Sequence, residues 1–595
     1  MPDTPRPASV SFSEFEPVST EAWRARIARD LKGTDPATLH WQTPDGFVLE
    51  PFYHREALEA LPEPPAPQLR PGAMGNSWRN VPTYSVPAGE KGHGTIQRAA
   101  EALTRGADGV HFVLNDADSF DVEFLHAHLP LDATYVGFSL TATPAAFVQR
   151  LLATGATQLR GFLQCDPVSC HLPNLKSQMH ELREVLTLTQ SMPDFQAITI
   201  QTAFFGNRGA TATQQVAFAL AAAAAYLNEL PTETLTPADV AAAMRVHLAV
   251  NPNYFFEISK LRALRRLWAT LLYAYGLPPE VAQVPIFAET ASWSQTTLDA
   301  HTNLLRVTTE AMSAVLGGAD VLSVRPFDCL FHDSNEFSDR LARNLSVLLR
   351  EEAGFGQVQD AAAGSYYLET LTDTLAREAW ALFQQIEAKG GLPVAIGLVM
   401  QELHTAAQAQ FQRIATGEQV VVGTNRFQNT REHFDFNPKK LLRSREFDST
   451  RATYPSEVLR LATSLHFERR EKKRKRAAVV LLGAHTNQLI EESFLRLLPE
   501  QEQSTLRESH PVGTLSVLFS STEEAILMYA TPEQFGRFAR YIYRIAEDDS
   551  TFVPPVLVTA DLATMQEAVR VFGFQEFKVQ GRSTEEVLAR LQGKD

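Results

Sequence analysis

The chain has 595 residues, 44% of them hydrophobic, and 54 Lys plus Arg against 69 Asp plus Glu give a net charge of −15. At roughly 100–200 residues per domain, this length predicts at least two domains. The acidic balance excludes a surface built to neutralise phosphates or anionic lipid, and with it a nucleic-acid or membrane partner. Cys165, Cys170 and Cys329 are too few for a disulfide framework, and the first two do not have Cys-x-x-Cys spacing, so a reducing, cytoplasmic compartment is expected.

Residues 1–75 read as an extended N-terminal arm. They carry acids and prolines and lack the apolar core of a secretory signal. The run LPEPPAPQLRPG enforces extended backbone. Phe12, Phe15, Trp23, Trp41, Phe47, Phe52 and Tyr53 then need a surface to cover them, either their own chain or a partner.

Over residues 76–410, short β-branched or aromatic runs alternate with helical stretches, the pattern of parallel strands joined by crossover helices. Candidate strands are 109–115, 134–140, 159–165, 197–202, 284–290 and 320–326. That many units in ~300 residues predicts a closed (β/α)8 TIM barrel. Val216 to Leu227 is the most apolar stretch, about a dozen residues where about 20 would be needed to span a bilayer. Residues 411–476 read as a charged linker, ending in a basic run at 468–476 that is expected to be a solvated face. From 477 to 595 a smaller α/β pattern of doubly wound character follows, with strands in AAVVLLGA, GTLSVLFSS, EAILMYAT and PPVLVTAD.

The strongest local pattern runs from Asn253 to Trp268. Ile258, Leu261, Leu264, Leu267 and Trp268 recur at helical spacing, while Lys260, Arg262, Arg265 and Arg266 line other faces, which predicts a helix with a basic outer side. Residue by residue, the segment resembles the barrel helix of the cobalamin-dependent methylmalonyl-CoA mutase family. Further strings resemble that family in order: Thr43-Pro-Asp-Gly46, Glu289-Thr-Ala-Ser-Trp-Ser294, Phe337-Ser-Asp-Arg-Leu-Ala-Arg-Asn344, Ala363-Gly-Ser-Tyr-Tyr-Leu-Glu369 and Glu387-Ala-Lys-Gly-Gly391. The resemblance covers roughly residues 40–400. It implies a barrel threaded by coenzyme A, a flavodoxin-like cobalamin domain after it, and a radical exchange of succinyl-CoA and methylmalonyl-CoA whose hard chemistry belongs to adenosylcobalamin.

Against that family pattern the chain departs at the chemical positions. The family's axial-ligand loop is Asp-x-His-x-x-Gly. Here Asp299-Ala-His301 is followed by Leu304 at the glycine position and falls on an expected barrel helix, while His485, in the C-terminal domain, has neither aspartate nor glycine in register. The family string Gly-Tyr-His-Met-Gln-Glu-Ala-Gly-Ala supplies a histidine that donates to the thioester carbonyl, but Thr202 to Ala210 puts Phe204 there. In the same ungapped register the substrate-carboxylate arginine falls at Met179, with His180 and Arg183 near enough for a small gap to restore a cation. Phe287 and Glu289 stand at the places of a coenzyme-contacting histidine and glutamine, and a bare Glu289 carboxylate would repel anionic groups. Tyr84, in Trp78-Arg-Asn-Val-Pro-Thr-Tyr84, has no assignable catalytic role.

The resemblance therefore implies the small, non-catalytic subunit of a heterodimeric mutase of propionate metabolism. No catalytic, cofactor-binding or metal residue is expected in this chain, adenosylcobalamin belongs on the catalytic large subunit, and the C-terminal domain is a degenerate remnant. Two other readings stay open: a complete acyl-CoA mutase barrel that obtains cobalamin from a separate chain, and a ligand-binding module at the barrel mouth. For the last, Gln164 and Asp166 at a strand end are the candidate groups, or else simple loop caps.

Overall fold

The computed structural model describes residues 18–61, 75–170, 174–277, 283–332, 335–416, 418–424, 426–427, 451–453 and 457, and four strands beyond residue 477. The six expected strands are present as Gly109–Leu114, Tyr135–Ser139, Gly161–Gln164, Ile198–Gln201, Ile286–Thr290 and Val321–Ser323. Two further strand positions had no clear sequence signal. One is split by Pro82 into Arg79–Asn80 and Thr83–Val86; the other, Met244–Val250, follows the alanine-rich helix Pro237–Ala242.

These strands form two five-stranded parallel sheets. The chain crosses from one sheet to the other at Val81–Pro82, where Val81 N–H donates to Leu322 at 2.9 Å and the Pro82 carbonyl accepts from His111 N–H at 3.0 Å. Proline has no N–H to leave unpaired at such a change of partner. Ala197, between Phe195–Gln196 and Ile198–Gln201, makes the second crossing.

Side chains from both sheets meet in one apolar cluster of Val81, Tyr135, Phe162, Phe287 and Val321. Gly137 makes room for it, because a Cβ there would lie 2.2 Å from the Phe162 ring. The fully buried Arg245 guanidinium sits 4.1 Å from the Phe162 ring centroid and 5.2 Å from that of Phe287, and donates to the Tyr135 hydroxyl at 2.8 Å. Helices cover the outside. The apolar stretch 216–227 lies in the buried helix Ala212–Glu229, and among the described residues no helix is long and apolar enough to cross a membrane.

Helix Tyr254–Ala274 corrects the expected basic outer side. Lys260, Arg262 and Arg265 are 0%, 9% and 8% exposed. Lys260 is paired with Glu257 and donates to the Ala249 carbonyl at 2.6 Å. Arg262 meets Asp360 at 3.1 Å and Glu369 at 2.9 Å, and Arg265 meets Asp320 at 2.7 Å. Helix Tyr366–Ala388 packs over this face, so charges that periodicity assigned to solvent are desolvated and paired instead.

The described part of the arm packs on its own chain. Trp41 and Phe47 lie 5.5 and 5.8 Å from Phe256, Tyr53 lies 5.7 Å from Tyr367, and Trp23 stacks on Phe52. Asp45 accepts from Thr213 N–H at 2.8 Å, at the start of helix Ala212–Glu229. Phe12 and Phe15 lie outside the described residues.

The expected linker also changes character. Helix Ile396–Thr416 runs into it, Ala452 N–H donates to Trp293 at 3.0 Å, and buried Glu457 accepts from the Thr297 hydroxyl at 2.8 Å. These residues are built onto the strand ends; the run 468–476 lies outside the described residues. Beyond residue 477, Ala478–Leu482 pairs in parallel with Ala525–Tyr529 and Pro555–Thr559, while Ser516–Phe519 pairs antiparallel with Ala525–Tyr529. The connection between that last pair is too short for a crossover helix, which forces the antiparallel sense.

Removing Arg262 leaves Asp360 and Glu369 without their shared cation in a desolvated site. Arg262→Ala is expected to cost about 3–5 kcal/mol in urea unfolding. The same change at exposed Arg26, paired with Asp30 at 2.7 Å, is expected to leave the transition where it was. Equal effects of the two variants would refute the buried lattice as a source of stability.

Candidate active site

At the C-terminal ends of the strands lies a cavity of about 620 Å³, with walls from both sheets. Alternation along the strands turns Thr83, His111, Ser139, Gln164, His247, Glu289 and Ser323 towards it. His111 is held on both nitrogens, Nδ1 at 3.1 Å from Thr83 Oγ1 and Nε2 at 2.7 Å from Ser139 Oγ. Burial pushes its pKa down to about 3 despite the opposing pull of Glu289, so the ring is neutral. His247 is likewise pushed down, first by burial; it stacks on Phe287 at 4.3 Å, its Nε2 faces Glu289, and its Nδ1 is buried without a hydrogen bond.

Glu289 is not the bare repelling carboxylate expected from the sequence. Arg325 Nη2 lies 2.6 Å from its Oε2, and His247 Nε2 lies at 3.5 Å. Burial works to raise its pKa, but Arg325 and the two histidines outweigh burial and hold it at about 2. The charge is present and neutralised in place.

Phe204 lines the cavity and carries the Arg208 guanidinium 3.6 Å from its ring centroid. Phe287 lies deeper, in the interior cluster. Asp166 is a loop cap: it accepts from Val168 N–H at 3.1 Å, Ser169 N–H at 2.9 Å, the Tyr226 hydroxyl at 2.5 Å and Gln201 N–H at 2.6 Å. Gln164 is different, since its Oε1 is buried with no partner.

The remaining sequence candidates are elsewhere. Met179 is buried in the main core on helix Leu175–Thr189, His180 on that helix is exposed, and Arg183 donates to the carbonyls of Glu229 and Leu230. Neither cation lines the cavity, so the small gap does not restore one there. Tyr84 faces the core rather than the cavity, and burial pushes its pKa up to about 12. His301 is the residue before helix Thr302–Leu316, not within it, and stacks on Phe327 at 5.1 Å, with Leu304 already in the helix. The described residues thus offer no Asp-x-His-x-x-Gly loop that would fit cobalamin, and no three of their His, Cys, Asp or Glu side chains converge as a metal site. His485 lies outside the described residues.

Sequence reasoning missed His111, Arg208, His247 and Arg325. The signal for the histidines was available: each is a polar residue within a predominantly apolar strand, GVHFVL or MRVHLAV. An inward-facing position in such a strand points either to interior packing or to a site.

Comparison with known proteins bears on which. The family model described as methylmalonyl-CoA mutase matches residues 121–471. The chain belongs to the methylmalonyl-CoA mutase family. It is 33% identical over 486 residues to a protein of Porphyromonas gingivalis named methylmalonyl-CoA mutase small subunit, covering 76% of this chain and 78% of that one. A probable small subunit from Mycobacterium bovis is 31% identical, covering 66% of this chain and 67% of its own length. A methylmalonyl-CoA mutase of Cereibacter sphaeroides is 29% identical over 69% of this chain and 65% of the relative.

The neutral histidines make the fold acid-sensitive. The unfolded chain binds a proton at each His below its ordinary pKa of 6.5, whereas folded His111 waits until about 3, so stability falls as pH drops through that window. Glu289 adds to the loss from 4.5 down to about 2. His111→Gln is expected to remove about 1.4 kcal/mol per pH unit from the slope below pH 6.5, read by urea unfolding across pH. An unchanged slope would show that His111 titrates normally in the fold.

Proposed function

We propose that this chain is the non-catalytic small subunit of a heterodimeric, adenosylcobalamin-dependent methylmalonyl-CoA mutase. The observation that carries the reading is Phe204, which lines the strand-end cavity at the place where the family resemblance puts the carbonyl-donating histidine. A phenyl ring donates no proton or hydrogen bond, and His111 in the same cavity wall is already committed to Thr83 and Ser139. The small-subunit names of the Porphyromonas and Mycobacterium relatives support the same assignment.

Pairing of the first strand position with both Val321–Ser323 and Gly109–Leu114 supports closure of the two sheets into one (β/α)8 barrel. The Val81, Tyr135, Phe162, Phe287 and Val321 cluster would then block its axis against a pantetheine arm. A degenerate, flavodoxin-like C-terminal domain completes the proposed architecture. For a partner surface, Trp41 (45% exposed) and Val48 (52%) of the hairpin, with Phe255 (47%) and Tyr366 (40%) at two helix starts, leave apolar area uncovered. The large subunit is the proposed occupant, and adenosylcobalamin belongs to it, in the cytoplasm.

Purified alone and mixed with adenosylcobalamin, the chain is expected to give no base-off, histidine-bound absorption spectrum. Its mutase rate is expected to be at least about 100-fold below that of the complex with a co-expressed large subunit, the loss that follows from lacking an acid-base donor. A stoichiometric histidine-bound spectrum from the chain by itself would overturn the reading.

A further inference from the structure

We propose that the strand-end cavity binds a small organic carboxylate that carries a hydroxyl or amine donor of its own. The inference rests on the reading of the mouth as closed to a coenzyme-A thioester, and three observations support it.

The first is an uncompensated cation. Arg208 Nη1 donates to the Phe204 carbonyl at 2.9 Å and its guanidinium lies over the Phe204 ring, but among the described residues no carboxylate is within ion-pair reach of it. The acids of the same wall are committed: Asp166 to four donors, Glu289 to Arg325, and Asp328 to Asn335 at 2.9 Å and His332 at 3.4 Å. Asp339 sits in the first turn of helix Glu336–Glu351, whose dipole favours its charge. A guanidinium facing a cavity without a carboxylate suits an anionic ligand with planar oxygens. In the family string compared above, alanine stands at the place of Arg208, so this cation belongs to no role the resemblance implies.

The second is unmet hydrogen bonding. Gln164 is 6% exposed and its Oε1 has no donor; His247 is 4% exposed, and with Nε2 facing Glu289 its Nδ1 is left as an open acceptor. A buried acceptor left open is costly, and a ligand O–H or N–H satisfies it.

The third is shape. The 620 Å³ volume lies above the Phe162–Phe287 cluster, so it accepts a compact molecule and not a threaded chain. Together, one guanidinium for the carboxylate and open acceptors for a donor select a hydroxy or amino acid over a simple fatty acid.

The test is calorimetric titration of the full chain, near neutral pH, with lactate and malate against propionate and succinate, which lack the hydroxyl. The hydroxy acids are expected to bind about tenfold more tightly than their counterparts. Arg208→Gln is expected to weaken all binding by about tenfold or more, while Gln164→Leu removes the preference for the hydroxyl and leaves carboxylate binding. An unchanged thermal midpoint in both variants shows that the fold is intact. No heat from any of the acids at millimolar concentration, or wild-type affinity in Arg208→Gln, overturns the proposal and leaves the small-subunit reading standing. Saturable binding of succinyl-CoA in place of the free acids overturns the closed mouth itself.

Discussion

The structure depends on cations that have been taken out of water. Helix Tyr254–Ala274 carries three nearly inaccessible basic side chains, and each ties a different part of the fold to it. Lys260 holds the Ala249 carbonyl at the end of Met244–Val250, while Arg262 reaches Asp360, Glu369 and the Thr372 hydroxyl across the helix interface. Arg265 bonds the carbonyls of Val284 and Gly318 and the carboxylate of Asp320. Because an unpaired buried charge is so costly, these contacts act as geometric conditions on the packing as much as attractions. Asp320 shows how far the condition reaches: its carboxylate also accepts from Ile286 N–H at 2.7 Å, which sets the register of Ile286–Thr290 against Val321–Ser323. Glu289 and Arg325 emerge from those two strands, so the ion pair in the cavity wall is placed by an arginine on the outer layer.

Between the two sheets the chain handles charge differently. Arg245 has no carboxylate among its hydrogen-bond partners; it uses the Tyr135 hydroxyl and the faces of Phe162 and Phe287. Arg208 at the mouth uses the face of Phe204. Aromatic rings therefore serve as cation seats where no carboxylate stands opposite the guanidinium. The same rings fill volume, and Phe287 with Phe162 closes the space below the cavity.

How much of this was readable beforehand follows from what each signal measures. Apolar runs report burial, so six strands were legible from them. Met244–Val250 escaped because Arg245 and His247 interrupt its apolar character and an alanine-rich helix precedes it; Thr83–Val86 escaped because Pro82 breaks the run. Helix periodicity reported Tyr254–Ala274 correctly but could not show that its polar faces are covered as well, since a buried arginine and a solvated one have the same spacing. At the cavity, Phe204 and Phe287 could be read as departures from the family strings. The pairing of Glu289 could not: it looked repulsive until Arg325, 36 residues away, was seen against it.

On the proposed reading, the pattern of what is kept at the mouth has a physical cause. Asp166 binds four donors from three segments of chain, so replacing it would strand Gln201 N–H and the Tyr226 hydroxyl in the interior. Phe204 carries no such duty: it is only half-buried, and the turn that presents it is secured by its backbone, through Phe205 and Gly206 N–H donating to Thr202. A side chain there can change from donor to ring without disturbing the strands. The elements that hold the two sheets together lie on the outer helix and in the interior cluster, away from the strand ends that line the cavity. In this fold the residues that secure the architecture are distinct from those that line the cavity, so a change of side chain at Phe204 leaves the packing of the strands and of the outer helix as it was.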